Sequence, residues 1–295
     1  MVNAVILDTR ERIYAGILLT GIAYFMFSTQ DAFIKLLVAG LSVWQILFIR
    51  SATIFIACSV IGGRELLAKS WNSSAFMPML FRSFLILGAW LCYYNAARYL
   101  QLAELTTIYF AAPVIVTVLS IFILGENVPL LRWIAVLLGF IGVYVACDPV
   151  ALGISIPVAM VLVAACLWAL SIVLIRKIAL YESSMVQMML NNGFFLIIAG
   201  IPLIFVWQTP VLSDWLLLIG VGAIGGLGQW ALFEGMKRAP VSVIAPFEYT
   251  SLVWAFAFGY AIWGDVPRRE VFFGAILIFL AGVVIIVGER FRKAG

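Results

Sequence analysis

The sequence predicts an all-α integral membrane protein with ten transmembrane helices, arranged as two inverted five-helix repeats around a central cavity. Three observations support this. The chain of 295 residues is 65% hydrophobic and only 11% charged, whereas soluble domains average about 25% charged residues. Its apolar stretches have the roughly 20 residues that a helix needs to cross the hydrocarbon core. One stretch, together with its polar flanks, also returns later in the chain.

Ten apolar stretches joined by short connections are the predicted spans, and no connection has room for a soluble domain. The first stretch is longer than a signal-peptide core and lacks a convincing cleavage site, so it counts as a span. Short alternating segments, the pattern of a transmembrane barrel, are not visible. In chain order the spans are Ile13–Val38, Val43–Gly62, Phe76–Arg98, Ala103–Leu124, Leu130–Cys147, Pro157–Arg176, Ser184–Trp207, Asp214–Met236, Val241–Trp263 and Glu270–Gly288.

The repeated stretch runs from Ala96 to Glu126 and returns from Gly235 to Asp265. Aligned without gaps, Gly125 falls on Gly264, 139 residues later. Few residues are identical in the two copies. Both copies, however, have basic residues near their start, continue with a long apolar run, and end with a small residue followed by an acidic one. We therefore predict a first repeat over residues 13–147 and a second over residues 157–288.

Basic residues near the helix ends predict that both termini are cytoplasmic. The predicted cytoplasmic side carries most of them: Arg10, Arg12, Arg64, Lys69, Arg132, Arg176, Lys177, Lys237, Arg238, Arg290, Arg292 and Lys293. The predicted external side carries Lys35, Arg98, Arg268 and Arg269. Because each repeat holds five spans, an odd number, the second repeat enters from the opposite side of the membrane. Inverted repeats of this kind place substrate sites near the midplane where they meet.

Composition excludes several functions. The net charge is +4, but the basic residues are scattered among loops, so no nucleic-acid partner is expected. The chain has no histidine, which excludes a histidine-based catalytic or metal site, and no cofactor is expected. No GxxxxGK[ST] motif occurs, so this chain does not itself hydrolyse ATP. The four cysteines lie in or at the end of apolar runs and are predicted to act as buried small hydrophobes: Cys58, Cys92, Cys147 and Cys166.

The segment YYNAARYLQLAELTTIYFAAPVIVTVLSIFILGE, its echo KRAPVSVIAPFEYTSLVWAFAFGYAIWGD, and a polar first span ending in Lys35 carry a family resemblance. Over nearly its whole length the chain resembles the drug/metabolite transporter superfamily, specifically the ten-span bacterial exporters with duplicated EamA domains. The resemblance implies a central cavity lined by spans 1, 3, 4, 6, 8 and 9, with spans 5 and 10 packing the two halves from outside. It does not fix a substrate, because the superfamily moves amino acids, nucleotide sugars, vitamins and other metabolites.

Ionisable residues inside the spans are the first site candidates, because a charge at a helix centre costs about 2.5–3.5 kcal/mol and should face a cavity or a partner. They are Asp31, Arg50, Glu104, Glu234 and Glu248. Glu104 and Glu234 lie near span ends, where water reaches them. Two structural alternatives stay open: Asp31 could pair with Lys35 one helical turn away, and Arg50 could form an interhelical pair that only fixes packing.

Glu248 lies about two turns into span 9, after Pro246. Proline removes a backbone donor and can open the helix there, and broken helices at midplane depth form substrate sites in transporters. The repeat alignment places Glu248 opposite Tyr109, so both should approach the pseudo-two-fold axis. A buried structural pair is the alternative for Glu248.

Aromatic residues at mid-span are the second group of candidates. Trp90 and Tyr94 share a face of span 3, whereas the adjacent Tyr93 is expected to point elsewhere. Aromatic walls with a few polar contacts suit a zwitterionic or partly apolar solute; interfacial belts or packing between helices are the alternative. The predicted substrate-binding set is Asp31, Trp90, Tyr94, Thr106, Tyr109, Trp168, Ser171, Gln229, Glu248 and Tyr249.

The leading functional hypothesis is a secondary transporter of the bacterial inner membrane that exports small metabolites, amino acids above all, by alternating access. Its expected partners are a small-molecule substrate and membrane lipid, and the chain is expected to be a monomer. Import of a vitamin or nucleoside-like solute, a constitutive channel and a non-transporting receptor are the alternatives. No enzyme activity is expected, because the carboxylates are scattered and the chain offers no histidine.

Overall fold

A computed structural model of the chain describes residues 2–124, 130–148, 155–178, 182–238 and 245–294. These residues form helices and short connections, with no strand among them. The helices are α1 Val2–Leu37, α2 Val43–Trp71, α3 Phe76–Ala96, α4 Leu102–Tyr109, α5 Ala111–Leu124, α6 Leu130–Cys147, α7 Ile156–Ile178, α8 Ser184–Val206, α9 Leu212–Arg238, α10 Thr250–Trp263 and α11 Arg269–Ala294, with a 3₁₀ turn at Ala245–Tyr249 before α10.

Six helical segments of the described part are long and apolar enough to cross a membrane: Glu11–Leu37, Val43–Trp71, Phe76–Ala96, Ile156–Leu174, Ser184–Val206 and Leu212–Gly235. Two shorter apolar segments, Leu102–Val116 and Trp133–Cys147, fall within predicted spans 4 and 5. The all-helical, multi-pass prediction is therefore confirmed, and the full count of ten crossings stays a prediction.

Helix α2 extends beyond the predicted end of span 2. Its apolar part ends at Gly62, and Gly63 then adopts a left-handed backbone (φ 57°) that kinks the helix. Glycine tolerates this conformation because it has no Cβ. The polar continuation to Trp71 is amphiphilic surface helix, with an exposed Lys69–Glu65 ion pair of 2.7 Å. Hydropathy therefore predicted where the apolar part of α2 ends, but not where the helix itself ends.

Predicted spans 4 and 9 are both interrupted. Span 4 is two helices, α4 and α5, that meet at Phe110, and not one continuous helix. Span 9 opens with the 3₁₀ turn that ends at Tyr249; its predicted first residues, 241–244, lie outside the described residues. Phe110 and Tyr249 are counterparts in the repeat alignment, and their rings stack with centroids 5.3 Å apart. The two interruptions therefore fall at matching positions and touch.

The most extensive helix contacts follow a pattern that is preserved when each span is exchanged with the one five spans later. The four most extensive pairs are α1 with α9, α6 with α11, α2 with α8, and α3 with α7. The first and the last are counterparts of each other, and the other two pairs match themselves. The contact between α6 and α11 agrees with the expectation that spans 5 and 10 pack the halves together.

Counterpart helices run antiparallel where their ends can be compared. At the start of α2, Gln45 exchanges two hydrogen bonds of 2.7 and 3.0 Å with the backbone of Gln208, just past the end of α8. Beyond the other end of α2, the Ser73 hydroxyl donates to Glu182, just before α8, at 2.6 Å. The start of each helix therefore lies beside the end of the other.

Small residues, among them Gly139 and Gly142, bring α6 and α11 into close contact. A β-carbon at Gly142 would lie 2.8 Å from the carbonyl oxygen of Gly274, and one at Gly139 would lie 3.9 Å from Ala281. Small side chains let transmembrane backbones approach in this way. The order of these contacts along the chain makes α6 and α11 antiparallel too.

Large apolar side chains cover the outside of the bundle, including Ile61, Phe122, Phe205 and Leu212. An apolar exterior of this kind suits lipid rather than water. Cys58 and Cys147 are buried and Cys92 is half-buried, but Cys166 is exposed. The prediction that all four cysteines are buried was wrong for Cys166, because a lipid-facing position is as apolar in sequence as a core position.

Candidate functional site

A chain of three hydrogen bonds joins a buried cation on α2 to a carboxylate on α1. The Arg50 Nε group donates to the Gln30 carbonyl oxygen at 3.1 Å, and the Gln30 amide nitrogen donates to the Tyr94 hydroxyl at 3.3 Å. The Tyr94 hydroxyl in turn donates to Asp31 at 3.4 Å. We call Arg50, Gln30, Tyr94 and Asp31 the polar chain. The polar chain links α1, α2 and α3, and each of its hydrogen bonds is donated in the direction from Arg50 towards Asp31.

The aromatic ring of Trp90 covers the guanidinium of Arg50. The Arg50 Cζ atom lies 4.3 Å from the ring centroid, a cation–π geometry. Phe195 of α8 packs edge-on against Trp90 at 5.2 Å. Trp90 is thus held by a helix of the second half while it contacts a cation of the first half.

Asp31 does not pair with Lys35, the structural alternative raised by their spacing. Its carboxylate accepts hydrogen bonds from the hydroxyls of Tyr93 and Tyr94, each at 3.4 Å. Lys35 instead donates to the backbone carbonyls of Ala97 and Leu100 and lies over the Trp263 ring. The lysine is therefore anchored at the end of α3, while the aspartate faces the interior.

The expectation that Tyr93 points away from this region was wrong. Tyr93 reaches Asp31, packs edge-on against Tyr94 at 5.4 Å, and contacts Tyr109 of α4 at 4.9 Å. Adjacent helical residues diverge by about 100°, but Asp31 lies in the wedge between the two rings and bonds to both. The signal that could have identified Gln30 was its place beside Asp31 in an otherwise apolar span.

The second half contributes Glu248 and Tyr249 from the 3₁₀ turn. Tyr249 stacks on Phe110, and Glu248 lies within electrostatic range of Tyr24, Tyr109 and Tyr249. Among the described residues, no hydrogen bond or ion pair engages the Glu248 carboxylate. The structure thus brings Glu248 towards Tyr109, as the repeat alignment predicted.

The remaining predicted residues are less closely joined. Thr106 is buried on α4 beside Tyr93. Trp168 packs half-buried against the main apolar core from α7, and Ser171 is fully buried with no hydrogen-bond partner for its hydroxyl in the described part of the chain. Gln229 is half-buried on α9. These contacts do not bring Trp168, Ser171 or Gln229 to the polar chain.

The polar chain is closed in this conformation. Arg50 and Tyr94 are each 3% exposed and Gln30 is 4% exposed, whereas Asp31, Trp90 and Tyr109 at its edge are half-buried. A cavity of about 20 Å³, lined by residues that include Phe110, Gly139 and Tyr249 and by no member of the polar chain, has room for a single water molecule. A metabolite would reach the polar chain only after the helices move apart.

Glycines of α9 make room for the polar chain. A β-carbon at Gly225 would collide with the Gln30 carbonyl oxygen and lie 3.2 Å from Arg50 Nε. Further along α9, Gly228 lies against Phe27 and Gly235 against Thr20. The glycines of α9 therefore allow close contact with α1 and α2.

Charged residues near one end of the bundle form a separate layer. Arg268 pairs with Glu104 at 2.8 Å and with Asp148 at 3.9 Å, linking the connection after α10 to α4 and α6. Glu234, by contrast, pairs with its helical neighbours Lys237 and Arg238. Both glutamates thus have structural partners. No group of three or more potential metal ligands occurs among the described residues.

A family described as the EamA-like transporter family matches residues 14–147 and 155–287. The S-adenosylmethionine uptake transporter of Rickettsia conorii is 26% identical over 284 residues, covering 92% of this chain and 94% of that protein. The riboflavin transporter of Vibrio cholerae is 28% identical over 218 residues, covering 72% of each chain. The pseudopaline exporter CntI of Pseudomonas aeruginosa is 26% identical over 280 residues, covering 92% of this chain and 95% of the exporter.

We predict that Gly225→Ala destabilises the protein by about 1–3 kcal/mol, the usual cost of overpacking, because the new methyl group displaces Gln30 and Arg50. Gly220→Ala on the same helix is the matched control, since its β-carbon would lie 3.7 Å from Phe33, an ordinary contact. Thermal unfolding of both variants in detergent measures the difference. Equal melting temperatures for the two variants would show that Gly225 does not hold the polar chain in place.

Proposed function

Because the chain belongs to the EamA-like transporter family, we propose that it is a secondary transporter that exports small metabolites, with amino acids as the substrate class. The observation that carries this proposal is the polar chain: opposite charges and aromatic rings meet where helices of both halves pack. A solute with both charges and an apolar part matches that surface. S-adenosylmethionine, the substrate named for the Rickettsia relative, is a derivative of the amino acid methionine.

We further propose that residues 13–147 and 157–288 are inverted repeats that rock against each other in alternating access. Three features support this. The main helix contacts recur between the counterpart helices, and the counterpart helices run antiparallel. Phe110 also stacks on Tyr249 where the two interrupted spans match. A closed polar chain beneath the Arg268–Glu104 pair fits an occluded state. Opening towards either side would require the contacts at that side to separate.

The substrate would contact residues from both halves. We assign it Asp31, Trp90, Tyr94, Thr106 and Tyr109 from the first half. From the second half we assign it Trp168, Ser171, Gln229, Glu248 and Tyr249. Half-burial of Trp168, Gln229 and Glu248 leaves them surface for a ligand, and helix motion would have to bring α7 and α9 groups to the polar chain.

Import is the second candidate, supported by relatives named for uptake of S-adenosylmethionine and for riboflavin. The fold alone fixes no direction, and the pseudopaline relative is an exporter. We place the protein in the bacterial inner membrane as a monomer with both termini in the cytoplasm, on the distribution of basic residues.

Reconstituted protein in liposomes should carry at least one labelled amino acid with saturable kinetics. The panel includes S-adenosylmethionine and riboflavin, and flux is measured in both directions under opposed gradients. Faster efflux from the cytoplasmic face would support export, and faster influx would support the import alternative. Saturable flux of riboflavin alone would remove amino acids as the substrate class. Non-saturating, channel-like conductance would remove the carrier mechanism.

Trp90→Ala should reduce that flux by about 30-fold, because loss of a desolvated cation–π contact is worth roughly 2 kcal/mol. Trp71→Ala is the control: Trp71 is a tryptophan at the end of α2 and 76% exposed. Flux through both variants, at equal amounts of folded protein, measures the effect. If the two variants carry substrate equally well, Trp90 does not line the pathway.

Reporter fusions test the inverted arrangement. Alkaline phosphatase, active only outside the cytoplasm, should be active when fused after Gly264 and inactive when fused after Ser73 or at the C-terminus. The expectation follows from the ten spans and the cytoplasmic excess of basic residues. Activity at the C-terminus would mean an odd number of crossings from a cytoplasmic start and would contradict the five-plus-five topology.

A further inference from the structure

We propose that Arg50 and Asp31 are the two halves of a zwitterion site, in which Arg50 binds the carboxylate of an amino-acid headgroup and Asp31 binds its ammonium group. The inference rests on the proposed function and deepens it by naming the groups that recognise the substrate. Arg50 was a site candidate from sequence but not a member of the predicted substrate-binding set, and the structure gives it a surrounding that a purely structural arginine does not need.

The first observation is that two opposite charges lie close together without pairing. Arg50 and Asp31 are within electrostatic range of each other, yet Gln30 and Tyr94 stand between them and carry the contact through hydrogen bonds. Buried ions are normally paired directly, because an unpaired buried charge is costly. Neutral groups that keep the charges apart leave each of them available to a ligand.

The second observation is an unused donor on Arg50. The guanidinium has five N–H donors, and its Nε donor is taken by Gln30. The Nη1 atom is buried and has no hydrogen-bond partner within the part of the chain that the structure describes. A carboxylate is the natural partner for it, since guanidinium and carboxylate form parallel, charge-assisted hydrogen bonds.

The third observation is that the guanidinium is held in a fixed orientation. Trp90 covers one face at 4.3 Å, and Gln30 holds Nε. Gly225 lets the backbone of α9 lie close to Gln30 and Arg50. A group fixed in this way loses little freedom when a ligand binds, which favours affinity.

Asp31 has capacity left for an ammonium group. Each of its oxygens accepts one tyrosine hydroxyl, and a carboxylate oxygen can accept two hydrogen bonds. Asp31 is half-buried, so its surroundings are not fully packed. The neighbouring rings of Tyr93, Tyr94 and Tyr109 also favour a cation.

Arg82 provides the comparison. It is a second buried arginine, on α3, 7% exposed and with its Nε atom lacking a partner among the described residues. No aromatic ring covers it and no carboxylate within ion-pair distance accompanies it in the described part of the chain. Arg82→Gln therefore removes a buried guanidinium of the same kind without touching the proposed zwitterion site.

The test uses full-length protein in liposomes and competition against the amino acid that is carried best. Three probes share one side chain: phenylalanine, phenethylamine, which lacks the carboxylate, and phenylpropanoate, which lacks the ammonium group. Wild-type protein should be inhibited by phenylalanine at concentrations about 10- to 100-fold lower than by either analogue, as expected when one hydrogen bond to a charged group is lost.

Each variant should lose one preference and keep the other. Arg50→Gln should no longer favour phenylalanine over phenethylamine, yet should still favour it over phenylpropanoate. Asp31→Asn should show the reverse, and Arg82→Gln should keep both preferences. A loss of overall flux with unchanged preferences would mean that Arg50 and Asp31 are structural, and would overturn the inference while leaving the transporter proposal intact.

The remaining outcomes are also decisive. If Arg50→Gln does not fold, Arg50→Lys keeps the charge and should show a reduced but measurable preference for phenylalanine over phenethylamine. Wild-type protein inhibited equally by all three probes would overturn the inference without any variant. If wild-type protein carries riboflavin but neither S-adenosylmethionine nor any amino acid, and is not inhibited by phenylalanine, the zwitterion site and the amino-acid substrate class both fail, while transport itself stands.

Discussion

Lipid offers no hydrogen bonds, so a polar side chain inside this bundle is costly unless the protein itself supplies its partner. The polar chain of Arg50, Gln30, Tyr94 and Asp31 meets that demand almost completely. It fixes the rotation of α1, α2 and α3 about their axes, because a turned helix would leave a charge facing hydrocarbon. The tyrosine and tryptophan rings around it then have defined places, and so does the surface that a substrate can meet.

The second half contributes mainly small and aromatic residues, rather than charges, to this arrangement. Gly225 of α9 lets the Gln30–Arg50 contact lie close to its backbone, and Phe195 of α8 supports Trp90. The stack of Phe110 on Tyr249 joins the two interrupted spans. Charges of the first half thus lie against small and aromatic residues of the second, at the surface along which two halves would move in alternating access.

Sequence patterns predicted which side chains lie inside the membrane better than which face of a helix they occupy. Hydropathy placed Asp31, Trp90 and Tyr94 in apolar spans, and their clustering followed from the family layout and helical spacing. Hydropathy could not predict how α1 and α3 are rotated about their axes. Gln30 was therefore missed, and Tyr93 was expected to point away from the site. The break at Phe110 was also missed, although the sequence carries a signal for it: Pro113 has no N–H to donate to the carbonyl of Tyr109, and its ring crowds that carbonyl.

A structure of the protein with a bound amino acid tests the zwitterion site most directly. The account predicts that the ligand carboxylate lies within hydrogen-bond distance of the Arg50 guanidinium and that its ammonium group lies against Asp31, with Gln30 and Tyr94 still between the two side chains. A ligand bound elsewhere in the bundle, or a direct Arg50–Asp31 ion pair beside an occupied site, would contradict it.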